Sequence, residues 1–239
     1  MPLPSPVHCL LCLCVLAVAA CGPRVRVTTT SATAPLSAPG CDIQTADLIA
    51  TGGVPAGLTF DYTQPSGQDA LSPTERRLLE LISAHRAGLG LPDIPVSRAL
   101  TAVAGRHAGD QIFNLFPKGL APGTNLHSWS DVDYFGDHRN ARLMWQTPAR
   151  LGTGYCWSGF EISGAGYRTP EEALAGWLSS PGHRAVIENT GIWSKSTWRA
   201  IGIGYVGGGS VRSPYDHAWH VWFGKVPDPT GRPPETGAP

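Results

Sequence analysis

The stretch Thr169–Asn189, TPEEALAGWLSSPGHRAVIEN, decides the architecture. It opens on Thr169-Pro170-Glu171-Glu172, a capping box in which a hydroxyl and a carboxylate satisfy free amides. Pro170 takes the first helical position, where a missing N–H costs nothing. A helix carrying Ala173, Leu174 and Trp177 therefore starts here and breaks at Pro181-Gly182, and a short one follows through His183 to Glu188. Upstream, Ser72-Pro73-Thr74-Glu75 is the same box. It opens a helix with an apolar stripe of Leu78, Leu79, Leu81, Ile82 and Leu89, stopped by Gly88 and Gly90. Another helix runs from Ser97 to about Asn114, with Leu100, Val103, Ala104, Ala108 and Gln111 along one side. Downstream, Ala200–Val206 (AIGIGYV) and Ala218–Gly224 (AWHVWFG) alternate and are rich in branched and aromatic residues, as strands are. Helices first and paired strands last indicate an α+β domain built on an antiparallel sheet. In AIGIGYV, Ile201, Ile203 and Tyr205 point one way, and Gly202 and Gly204 leave the other face bare for a closely packed helix backbone or a ligand.

Outward from this core, about residues 71–225, the composition changes. Residues 21–70 are rich in Thr, Ser, Ala, Pro and Gly without a helical period, which predicts a tether. Residues 226–239 (VPDPTGRPPETGAP) have the same character and are expected to form a disordered tail. The chain of 239 residues has 18 basic and 18 acidic side chains, so it has no cationic field for polyphosphate, and nucleic-acid binding is excluded. Its eight Trp, six Tyr and six Phe are too many for a chain that never packs a core.

Residues 1–20 carry no charged side chain, and Cys9–Ala20 (CLLCLCVLAVAA) is an apolar run too short to span a bilayer. It suits an export signal. Val18-Ala19-Ala20-Cys21 resembles the bacterial lipobox, in which the Cys is acylated and becomes the new N-terminus, although Met1–His8 lacks the usual basic residues. Membrane lipid is then a partner through acylated Cys21, since two or more chains, at roughly 0.8 kcal/mol per buried CH₂, anchor durably. A plain secretory signal cut near the same place is the alternative. The expected location is the bacterial cell envelope, outside the cytoplasm. In a Gram-negative host Gly22, lacking the retaining Asp, directs outer-membrane sorting. Cleavage leaves Cys41 and Cys156, and two leftover thiols outside the cytoplasm usually pair.

A long stretch of little periodicity between the second and third helices holds Asn125–Ser130 (NLHSWS) and Gly159–Ile162 (GFEI), and long structured loops usually carry function. His127 and Glu161 are the candidates there. His183 lies near the start of the short fourth helix, where the positive helix end disfavours an imidazolium and keeps the ring neutral. His107 falls on an apolar stripe and reads as a satisfied core residue. His85 and Arg86 brace the first helix, His220 faces either a cleft or solvent, and His8, His138 and His217 have no partner pattern. Cys156 matches no Cys-hydrolase signature, Ser180 is not in a G-x-S-x-G setting, and Gly207-Gly208-Gly209 reads as a turn.

Several of these pieces fall in a familiar order: Ala84-His85-Arg86 with Gly88–Ile94 (GLGLPDI), Leu100 with Ala104 and His107, His127-Ser128, Glu161-Ile162, Trp177 with Ser180–Asn189 (SPGHRAVIEN), Ile201–Tyr205 and Trp219–Gly224 (WHVWFG). From Thr74 to Lys225 the chain resembles the CAP superfamily, which takes in cysteine-rich secretory proteins, antigen 5, plant pathogenesis-related proteins and a large bacterial branch. The resemblance implies a three-layer α-β-α sandwich with a cleft lined by two His and one or two acidic residues. By motif these are His127, Glu161 and His183. The eukaryotic second Glu has no counterpart, because Trp177 is followed by Leu178, Ser179 and Ser180, and the GHYTQ motif is absent. Such a trio could bind Zn²⁺ or another divalent metal with one position open for water, or act without metal as an acid–base pair. The expected function is a monomeric, membrane-anchored module binding a small molecule, lipid or divalent metal. The alternatives are a hydrolase with Zn-activated water at the same residues and a non-catalytic structural or host-interaction protein.

Overall fold

Ser97 accepts a hydrogen bond from the Leu100 amide and starts the central helix, α2 (Arg98–Asp110), which continues through one π-helical turn at Gln111–Leu115. Every residue from Ala99 to Asp110 is buried. A helix buried all round needs material on both sides. The structure, a computed structural model describing residues 40–207 and 215–237, supplies it. The export signal and Cys21 lie outside the described residues, as do Gly208 and Gly209.

One side of α2 lies on a three-stranded antiparallel sheet of order β1-β3-β2, formed by β1 (Gly159–Ala165), β2 (Ala200–Gly207) and β3 (His217–Gly224). The approach is close because the bare glycine face expected in β2 is real. A Cβ on Gly202 would collide with the backbone of Leu100, and one on Gly204 with that of Ala104. A helix backbone, and not a ligand, fills that space. On the sheet's other face Ile162, Ile201, Ile203, Trp219, Val221 and Phe223 form one apolar cluster with residues of α1 (Pro73–Gly88), α4 (Pro170–Ser179) and α5 (Pro181–Glu188). The α+β class and the helix-sheet-helix layering expected from the sequence are thus present.

Capping chemistry sets the helix boundaries. At α1 the box is complete: Ser72 Oγ accepts from Glu75 N, and Glu75 Oε2 accepts from Ser72 N at 2.6 Å. At α4, Thr169 Oγ1 accepts from Glu172 N, but the Glu172 carboxylate reaches back one residue further, to Arg168 N. Helix α5 ends on Asn189 in the left-handed region, φ 52°. The stretch read as a long loop contains two elements, α3 (Arg142–Arg150, with Pro148 inside) and β1.

Two expectations about the ends are corrected. Residues 40–70 were expected to belong to a free tether, yet they lie on the domain. Cys41 is disulfide-bonded to Cys156, as the cysteine count predicts. Asn114 Oδ1 accepts from the Thr59 and Phe60 amides, and Tyr62 is fully buried with its ring centroid 5.3 Å from that of Trp129. Gly105 and Gly109 of α2 make room for this segment: a Cβ on either would meet Gln68 or Phe60. Residues 226–237 are not a disordered tail either. Asp228 Oδ2 accepts from Ser97 Oγ at 2.6 Å and from Ala99 N at 2.9 Å at the start of α2, and Leu71 pairs through its backbone with Pro234 and Thr236. Polar composition disguised both segments, because a few apolar side chains (Ile43, Phe60, Tyr62, Val226) anchor them and backbone and capping bonds supply the rest of their order.

Candidate functional site

The register of the sheet places Ser163 and Gly204 opposite His220, and Glu161 and Gly202 opposite Trp222. All six therefore share the α2 face. Alternation in β1 sends Glu161 into the gap between the sheet and His107 of α2, where its side chain is 1% exposed. Three imidazoles surround it. Glu161 Oε1 lies 2.6 Å from His107 Nδ1 and 2.8 Å from His220 Nδ1, and Oε2 lies 2.7 Å from His127 Nδ1. Ser163 Oγ adds contacts of 3.0 Å to His127 Nδ1 and 3.2 Å to His220 Nδ1. The His107 ring is sandwiched between Trp129, with centroids 4.1 Å apart, and His220, with centroids 3.9 Å apart.

Burial alone would push the Glu161 carboxyl up. Favourable electrostatics with His107 and the hydrogen bonds from His107 and His127 outweigh it and hold the group well below the usual carboxylate range. Glu161 is therefore a carboxylate that accepts, and each Nδ1 facing it donates. Burial, reinforced by His107, pushes His220 down to about 4. A neutral His220 that donates through Nδ1 leaves Nε2 as a buried nitrogen without a partner.

His127 and Glu161 bring the cluster to open space. His127 Nδ1 is held by Glu161, and both line a cavity of about 450 Å³ together with Tyr134, His138, His183 and Ser180. Most of the remaining wall is apolar, with Met144, Trp145, Phe160, Val186 and Trp193, and Ile192 is 88% exposed. His183, third residue of α5, shows a depressed pKa, first from burial and then from His127. Among the described residues it makes no hydrogen bond to His127 or Glu161. The structure thus brings His127 and Glu161 into direct contact and places His183 on the same cavity wall.

The sequence reading missed His220, Ser163 and the catalytic-like setting of His107. His107 is buried and satisfied as expected, but its partner is Glu161. A signal existed for His220: in AWHVWFG it alternates with Trp219 and Val221, so it had to share a face with the β2 glycines against α2. His138, read as having no partner pattern, lines the cavity with a positive φ of 59° and its Nδ1 3.0 Å from Tyr134 Oη.

The chemistry of this donor set does not fit a resident metal ion. Donor atoms of His107, Glu161 and His220 lie within 4.8 Å of one another. Tetrahedral ligands about 2.0–2.1 Å from zinc stand roughly 3.3 Å apart and aim at a common point. Here the N–O separations are 2.6 and 2.8 Å, and the two rings are stacked, so their in-plane lone pairs run side by side. Glu161 Oε1 accepts from His107 and His220 and Oε2 from His127, so in the expected set of His127, Glu161 and His183 the carboxylate has one lone pair, on Oε2, uncommitted.

The sequence model of the Cysteine-rich secretory protein family, CAP, matches residues 79–224, more than half of the chain. An uncharacterized protein of Bacillus subtilis (strain 168), YkwD, is 27% identical over 168 residues, covering 70% of this chain and 55% of that protein. A solved extracellular protein containing a SCP domain, from Bacillus anthracis str. Ames, aligns with TM-score 0.43 and 19% identity over 64% of this chain and 40% of its own. The chain spans about half the length of these relatives. With Glu161 and the SPGHR segment both inside the matched region, the chain belongs to the CAP, or cysteine-rich secretory protein, family.

Proposed function

We propose that the domain is a binding module for a small amphiphile, with an apolar body in the cavity and a hydrogen-bond donor at its head. One observation carries this reading: a mostly apolar space of about 450 Å³ lined also by His127, whose Nδ1 is held by Glu161. Pockets of this size with few convergent polar groups suit small ligands. Because Glu161 holds the proton of His127 on Nδ1, the nitrogen left for the cavity is Nε2 with its lone pair. A head that donates, a hydroxyl or an amine, complements it, and an anionic head would not.

The test is a titration with a series of n-alkanols, read by the fluorescence of Trp145 and Trp193. Affinity rises by about 0.8 kcal/mol, roughly fourfold, per added CH₂ until the cavity is full, and His127→Ala removes the preference for an alkanol over the alkane of equal length. Absence of saturable binding at any length would sink the proposal.

A second reading, acid–base hydrolysis without metal, is favoured by the carboxylate on His127 Nδ1, the arrangement that orients a general base. Turnover of short-chain esters abolished in His127→Ala would establish it. The disulfide supports an oxidising compartment. We propose export and anchoring at the bacterial cell envelope through acylated Cys21. Incorporation of an alkyne fatty acid, lost in Cys21→Ser, checks the anchor, and no label on the parent protein would refute it.

A further inference from the structure

The ring nitrogens of His107 have an unusual pair of neighbours. Nδ1 lies 2.6 Å from Glu161 Oε1, and Nε2 lies 2.9 Å from the carbonyl oxygen of Ser128. A carbonyl oxygen accepts only, so Nε2 carries a proton. Glu161 accepts from His220 through the same Oε1 and from His127 through Oε2, so it is best served as a full carboxylate, and then Nδ1 of His107 carries a proton as well. We propose that His107 is an imidazolium in the core, a positioning residue whose charge keeps Glu161 ionised and thereby locks His127 with its proton on Nδ1 and its lone pair toward the cavity. This rests on the reading of His127 Nε2 as the acceptor at the cavity floor.

The surroundings favour the charge. His107 is fully buried, and an isolated cation there would be costly. It is not isolated: cation and carboxylate cancel, and the cluster is neutral overall. The Trp129 indole lies parallel to the imidazolium at 6°, offering its negative face. The other charged or titratable groups around the cluster are accounted for. Asp110, one turn along α2, accepts from Ser130 N, Ser130 Oγ and Asn114 Nδ2, and it adds negative potential toward His107. Arg150 stands 5.3 Å from the Trp129 ring and is paired with Asp131. His220 is neutral. Gln111 Nε2 gives one N–H to Leu126 O, and its other N–H, with the nitrogens 3.4 Å apart, is a poorer match for His107 Nε2 than the Ser128 carbonyl at 2.9 Å, so that nitrogen keeps its proton. On the His127 side, burial and Glu161 push the Tyr134 phenol up to about 12, and burial and His127 push His183 down.

The decisive experiment is ¹⁵N imidazole NMR of the whole protein with labelled histidine at pH 7.5. His107 is expected to show two protonated nitrogens, and His127 a protonated Nδ1 beside an unprotonated Nε2. A neutral pattern for His107, with one unprotonated nitrogen, overturns the proposal from the parent protein alone. The variants separate charge from packing. In His107→Gln, Glu161 takes up a proton and the His127 proton moves to Nε2. In His107→Lys the parent tautomer returns. An unchanged His127 in His107→Gln contradicts the locking role. Loss of alkanol binding in a parent protein that still shows the His107 imidazolium would instead refute the function proposed above and leave this inference standing.

Discussion

A carboxylate that accepts from three imidazoles in a dry site leaves three donors stranded when it is removed. Glu161→Gln retains the shape of the side chain but not the charge, and it faces one of those donors with an NH₂ group. Breaking a buried pair in this way costs about 3–5 kcal/mol, and urea unfolding is expected to show a loss of that size. A loss below about 1 kcal/mol, the range of exposed pairs, would mean the cluster is solvated. The same residues set the acid limit of the fold. His220 binds a proton at about 4 when folded, against roughly 6.5 when unfolded. The unfolded chain therefore takes up more protons between those values, and stability complete above pH 6.5 is lost as pH falls toward 4. The depressed Glu161 adds loss in the same direction, below about 4.3. Glu75, which burial pushes up to about 7, opposes them by destabilising the fold as pH rises toward that value. The clean comparison is between the parent and His220→Gln: thermal melts at pH 6.5 and 4.5 should differ less in the variant, and equal slopes would remove His220 from the account.

At the scale of elements, the glycine face of β2 was the most legible feature. The alternation of Gly202 and Gly204 with large residues by itself implies a close approach, and α2 makes it. Gly204→Ala forces the Ala104 backbone to shift, an overpacking cost of about 1–3 kcal/mol, measurable as a lower denaturation midpoint; an unchanged midpoint would show that α2 slides freely on the sheet. Helices α1, α4 and α5 were legible because capping boxes and Pro-Gly breaks punctuate them. Helix α3 was not, since Pro148 lies inside a nine-residue segment and argues against a helix. Strand β1 was hidden for a different reason. Its alternate residues Glu161 and Ser163 look like a solvated face, whereas here that polar face is buried against histidines from α2 and β3. Of the site, His127 and Glu161 emerged from motif and loop reasoning, while His107 and His220 required the pairing register, which no single segment contains.

At the scale of the whole described domain, residues 40–70 and 226–237 pack on the sandwich. The Cys41–Cys156 bridge spans 115 residues of sequence, and in the chain-entropy model a loop of that length contributes roughly 4–5 kcal/mol. Cys41→Ser is expected to lose much of that stability in urea while leaving alkanol binding at 25 °C intact, because the bridge restrains residues 40–43 and not the cavity wall. A loss of binding without a loss of stability would reverse that assignment. The bridge, the Asn114 bonds to residues 59–60 and the Asp228 cap on α2 hold the helices against the sheet from outside. This frame keeps the Glu161–His127 pair at a fixed place beside an apolar cavity. A crystal structure of the protein soaked with decan-1-ol is the measurement that checks this arrangement. The hydroxyl oxygen is expected within about 3.2 Å of His127 Nε2, with the alkyl chain along Phe160 and Trp193. Alkanol density confined to the outer surface, or a chain reversed with its methyl end on the imidazoles, would contradict it.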